Sequence, residues 1–176
     1  MSTGHTLEKP VSTAEDSSSA QCIEQNRLMH EMGHFKGYSI KPHVERIEGL
    51  IQLYGCKTML DYGSGKGLFH EEHDWGIVVR GYDPAVERFS LKPGPASHFD
   101  IVICTDVLEH IPEHEIPIVL KEIDGYAWEI VFLSICTREA RKTLPDGRNA
   151  HLTIKPSDWW RGKICEMGNT VDVVFT

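Results

Sequence analysis

At 176 residues and 19.9 kDa the chain is the size of a single domain. Its 18 Lys and Arg stand against 26 Asp and Glu, a net charge of −8, and 40% of its residues are hydrophobic. That composition supplies a core but not the cationic surface of a protein that grips duplex nucleic acid throughout.

Residues 1–20 are rich in Ser, Thr, Asp and Glu with almost no large apolar side chains, so a disordered tail is expected there, followed by one domain over 21–176. The tail lacks the apolar stretch of a secretory signal, and no apolar run approaches the roughly 20 residues of a membrane helix. The expected setting is cytoplasmic. Ile23, Leu28 and Met29 suit a short helix, and residues 34–38 a loop. Over 41–54, Val44, Ile47, Leu50, Ile51 and Tyr54 recur at spacings of three and four, with Pro42 in the first turn and Gly55 past the end, which predicts an amphipathic helix. A strand at 58–62 runs into Gly63-Ser64-Gly65-Lys66-Gly67. Further strands are expected at 76–82, 100–105, 129–136 and 170–176. Residues 107–110 begin a turn or helix, 116–126 read as helix, 137–151 as a polar loop, and Ser157 as the N-cap of a last helix. Several strands are near-continuous apolar runs, as in a parallel sheet buried on both faces. Strand alternating with helix then predicts an α/β, doubly wound, mostly parallel sheet.

The five cysteines, Cys22, Cys56, Cys104, Cys136 and Cys165, are widely spaced and include no C-x-x-C pair, so reduced thiols are expected, with Cys104 and Cys136 buried in apolar runs. No metal is expected: His70, Glu71, Glu72, His73 and Asp74 match no ligand spacing and read as a solvated acidic helix.

The glycine turn is the most informative stretch. Its glycines permit positive φ and close backbone approach, and free N–H groups there would suit a carboxylate or phosphate. The G-x-G-x-G spacing fits neither the dinucleotide turn nor a Walker loop. About twenty residues on, a second strand ends in Gly81-Tyr82-Asp83, with the acid where such folds hold ribose hydroxyls. A third carries Phe99-Asp100-Ile101-Val102-Ile103-Cys104-Thr105-Asp106-Val107-Leu108-Glu109-His110-Ile111. Together these three stretches, within residues 41–136, closely resemble the motifs of class I (Rossmann-like) S-adenosylmethionine-dependent methyltransferases, in particular their small-molecule branch.

The resemblance implies S-adenosylmethionine as cofactor. Gly63, Gly65 and Gly67 would pass their backbone against its methionine and ribose, Asp61 would lie behind the methionyl ammonium through water, Asp83 would accept the ribose hydroxyls, and Thr105, Asp106 and Val107 would frame the methionine and adenine sides. Three departures stand out. Only sixteen residues separate Asp83 from Asp100, with Pro93, Gly94 and Pro95 among them, so the family's third strand is expected to be shortened or missing, along with its adenine contact. The segment after the glycines is short and acidic. One strand follows Trp160, where the family places an antiparallel pair.

The loop at 137–151 holds four of the 18 basic residues in fifteen positions, at the ligand edge of the sheet, which suits an anionic acceptor. Arg138, Arg148 and Asn149 are its expected substrate-binding residues. His151 and His110 are the expected catalytic bases, with His114 a third candidate. His34, Phe35 and Tyr38 suit a lid, and of Trp159 and Trp160 one ring is expected in the core and one near the pocket mouth. An Asn/Asp-Pro-Pro-Tyr sequence is absent where base-methylating enzymes carry it, which argues against DNA and leaves RNA open. The expected partner is a small polar or anionic acceptor such as a sugar or metabolite. A homodimer stays open, as does the alternative of a cofactor-binding subunit that is non-catalytic or needs a partner protein.

Overall fold

The computed structural model describes residues 14–176. Five strands form one all-parallel sheet: β1 (Thr58–Tyr62), β2 (Val78–Tyr82), β3 (Phe99–Thr105), β4 (Ala127–Ile135) and β5 (Thr170–Phe175), in the order β2-β1-β3-β4-β5. The helices are α1 (Ala14–Glu31), α2 (Val44–Tyr54), α3 (Leu68–Glu72), α4 (Ile116–Tyr126) and α5 (Ser157–Ile164). This is the doubly wound, Rossmann-like α/β architecture the strand–helix alternation predicts.

The apolar runs have their expected cause. Alternate side chains of the central strands serve opposite faces. Leu60, Val102, Cys104, Val131 and Leu133 pack with α4 and α5 through Ile116, Leu120, Ile123, Trp160 and Ile164. Met59, Ile101, Ile103, Ile130 and Phe132 pack with α2 through Ile47 and Ile51, and with Phe69 and Trp75. A strand buried on both sides has no polar face to alternate with.

Several boundaries differ. The helix holding Ile23, Leu28 and Met29 is long and starts at Ala14, inside the stretch expected to be a disordered tail; the rest of that stretch, residues 1–13, lies outside the described residues. Its burial explains the difference. Met29 is fully buried against Leu144 and Ala150, contacts that local composition does not reveal. Residues 41–43 form a 3₁₀ turn before α2, and Gly55 closes that helix in the left-handed conformation. Pro156, not Ser157, is the N-cap of α5, and no side chain caps it. Between Asp83 and β3 there is a 3₁₀ turn, Glu87–Phe89, and no strand, so β2 is the sheet edge. β5 runs parallel to β4.

The chain passes from β1 outward to β2 and then crosses to β3 on β1's other side. The connections leaving the carboxyl ends of β1 and β3 diverge there, and that switch point is where such sheets open a ligand crevice. Among the described residues no helix is long and apolar enough to cross a membrane.

Candidate functional site

The carboxyl ends of β1, β2 and β3 open on a cavity of about 840 Å³. Of the expected cofactor set, Gly63, Gly65, Asp83, Thr105, Asp106 and Val107 line it, and Asp61 and Gly67 do not. Tyr62 and Tyr82 add an aromatic wall, ring centroids 5.1 Å apart edge to face.

The glycine turn does not present the free N–H groups its sequence suggests. Gly63 and Ser64 donate to the Tyr82 carbonyl at 2.7 and 3.1 Å, Gly65 to Asp83 Oδ2 at 2.9 Å, Lys66 to the Phe35 carbonyl at 3.3 Å and Gly67 to the Ser64 carbonyl at 3.0 Å. The positive φ angles, +84° at Gly63 and +56° at Gly65, turn the backbone toward β2 and the 34–38 loop. A Cβ on Gly63 would stand 2.3 Å from Val107 Cγ2, and one on Gly65 2.6 Å from the Phe35 carbonyl oxygen. The glycines therefore serve close packing of the cavity wall and not anion capture.

Asp83 is 9% exposed. Its Oδ1 accepts from Ala85 N and its Oδ2 from Gly65 N, both at 2.9 Å. His30 of α1 places Nε2 3.8 Å from Oδ2. Burial pushes the Asp83 carboxyl up and the His30 imidazole down. Nothing in the polar sequence of α1 marked His30. Asp61 is held otherwise: Trp75 Nε1 donates to His70 Nδ1 at 3.0 Å, so His70 carries its proton on Nε2 and donates it to Asp61 Oδ2 at 2.7 Å. Asp61 Oδ1 is buried without a partner. The segment expected to be a solvated acidic helix is thus half inward-facing, with His70 on Asp61 and His73 on Glu48.

The loop after β4 divides. Arg138, with Arg141 and Lys142, lines the cavity. Arg148 instead pairs with Asp146, and the Asn149 amide is spent inside the loop, accepting from Ala140 N and His151 N and donating to the Ala140 carbonyl. Neither lines the cavity, so the structure does not bring these two expected substrate residues to it. Phe35 and Tyr38 line it, and His34 does not. Trp160 is wholly buried, while Trp159 lies between Lys155 and Lys163, away from the mouth. His114 sits outside, beside Glu115. The five cysteines are free, Cys136 half-buried at the cavity wall.

No protein-family model and no curated protein matches the chain. The cavity has to be read from its own chemistry. Its deepest chemistry is a cluster that the sequence only half disclosed. His110 and His151, 41 positions apart in the sequence, sit with ring centroids 4.8 Å apart. Backbone bonds make the match: Leu152 N and Thr153 N donate to the Glu109 carbonyl at 2.8 and 2.9 Å, and Thr153 Oγ1 donates to the Ile111 carbonyl at 2.6 Å. That seam lays residues 150–153 along 109–111. Burial pushes His110 down to about 4, helped by His151 beside it, so its ring is neutral at pH 7. Beside these histidines lies Glu109, fully buried, its carboxyl pushed up to about 8 by burial. Oε1 accepts from Cys136 N at 2.9 Å, and Oε2 has no partner. An ionisable side chain amid the apolar 107–111 run was the available signal for it.

Proposed function

We propose that the protein transfers a methyl group from S-adenosylmethionine to a small polar or anionic acceptor. The carrying observation is the convergence on one cavity of three strand ends bearing the glycine turn, Asp83 and Thr105-Asp106-Val107, together with His110, His151 and Arg138. The residues suit the cofactor. A carboxylate has about four acceptor positions, and Asp83 uses two, which leaves room for ribose hydroxyls.

Bound there, the cofactor's sulfonium supplies an electrophilic methyl group. The chain's part is alignment. Arg138, Arg141 and Lys142 draw in an anionic acceptor from a net acidic protein. The histidine pair meets the acceptor, and His151 takes its proton at Nε2, Nδ1 being spent on the Arg138 carbonyl at 2.6 Å. A neutral His110 adds no competing charge.

The test is titration calorimetry of the full chain with S-adenosylmethionine and S-adenosylhomocysteine. Micromolar binding is expected, lost in Asp83→Ala at unchanged helical content. No binding of either compound by folded wild-type chain refutes the reading and turns the search to a partner that completes the pocket.

A further inference from the structure

We propose that Glu109, His110 and His151 form a binding site for one divalent transition cation of the zinc class, in the wall of the cavity where the acceptor would sit. One donor atom from each of the three lies within 4.8 Å of the others. Ligands of a tetrahedral zinc stand about 3.3 Å apart, so the three donors would draw together by up to about 1.5 Å on the ion.

The donors are prepared for an ion. His110 Nδ1 meets the Ala150 carbonyl at 2.7 Å and His151 Nδ1 the Arg138 carbonyl at 2.6 Å. A carbonyl oxygen only accepts, so each ring holds a proton on Nδ1, and in the neutral ring Nε2 keeps a lone pair. Neither Nε2 has a hydrogen-bond partner among the described residues. A backbone carbonyl behind each imidazole is the support that metal-bound histidines use to fix ring and tautomer. The independent observation is Glu109. It is fully buried, Cys136 N anchors Oε1, and Oε2 has no partner. A cation between the imidazoles answers that orphaned oxygen, which nothing else in the structure does.

Two imidazoles and one carboxylate select a borderline ion over Mg²⁺ or Ca²⁺, which favour all-oxygen shells. Three protein ligands leave a coordination position open. All three residues line the cavity, so an oxygen of the acceptor would take that position, and its hydroxyl, acidified by the ion, would release its proton to solvent before the methyl group transfers. The ion would then replace His151 as the group that activates the acceptor. This last role rests on the methyl-transfer reading; binding of the ion does not.

The experiment strips the full chain with a chelator and titrates it with Zn²⁺, and with Co²⁺ followed by visible absorption. One equivalent is expected, with cobalt bands of low coordination and no thiolate charge-transfer band. His151→Ala and Glu109→Gln should each weaken binding at least tenfold, while His98→Ala, at an exposed imidazole beside Trp128, leaves it unchanged. If Glu109→Gln shifts the urea midpoint, the loop variant His151→Ala decides. No saturable binding, a thiolate band, or unchanged affinity in His151→Ala overturns the site. Cofactor calorimetry on the stripped chain is read separately. Its failure with cobalt binding intact refutes the methyl-transfer reading and leaves the site standing.

Discussion

Gly63→Ala is the sharpest probe of how the cavity wall is built. At φ +84° an added Cβ meets all of the Val107 isopropyl group, Cγ2 at 2.3 Å, Cγ1 at 2.8 Å and Cβ at 3.1 Å. Rotating a β-branched side chain exchanges one methyl for another, and its Cβ cannot leave, so the backbone must shift. The left-handed conformation costs an alanine about 1–2 kcal/mol, and overpacking adds about 1–3 kcal/mol. The expected destabilisation is therefore about 2–5 kcal/mol. With a urea slope of about 2 kcal/mol per molar, the midpoint falls by about 1–2.5 M. The Gly63 N–H bond to the Tyr82 carbonyl moves with the turn, so affinity for the proposed S-adenosylmethionine should fall as well. In Val107→Ala the obstruction is gone, and adding Gly63→Ala to it should cost only the conformational part, a coupling of at least about 1 kcal/mol in the double-mutant cycle. A midpoint in Gly63→Ala within 0.3 M (about 0.6 kcal/mol at that slope) of wild type would refute the packing argument.

Gly49→Ala is the matched control: in α2, exposed and with nothing within 4 Å of its added Cβ, it should stabilise the protein by about 0.5–1 kcal/mol in the same assay. Asp100 Oδ2 accepts from Lys57 N at 2.7 Å, Thr58 N at 2.9 Å and Thr58 Oγ1 at 3.0 Å, so Asp100→Ala should cost about 1–2 kcal/mol once solvent screening is allowed for. Those bonds hold its folded pKa below the usual 3.8, so the gap between wild type and variant is full above 3.8 and closes as pH falls through the folded value. Urea midpoints between pH 7 and 3 check the sign; a gap that widens in acid refutes it. Trp75→Phe orphans the partly buried His70 Nδ1 and loosens Asp61, and should cost about 1–3 kcal/mol in a urea titration. An unchanged midpoint would show that the Trp75–His70–Asp61 chain is idle.

Strand by strand, the sheet was legible in the order of residues. Runs such as Ile101-Val102-Ile103-Cys104 have no polar partner positions because both faces are covered, and that constraint is written into every residue. Gly63, Asp83 and Val107 were legible as wall residues because each ends a strand at the ligand edge. The missing strand after Asp83 was legible as a shortage of chain. Polar pairing was not. That the N–H groups of residues 63–67 turn inward, that Asn149 spends its amide on Ala140, and that Arg148 pairs with Asp146 depend on loop conformations, which no periodicity encodes.

Residue order alone dictates the layers, the succession of elements and the edge at which the cavity opens, because burial on two faces and strand-end position are local, repeating demands. The meeting of Glu109, His110 and His151 belongs to the folded chain. It depends on backbone bonds from residues 152 and 153 to the Glu109 carbonyl, and a backbone bond leaves no mark on side-chain identity.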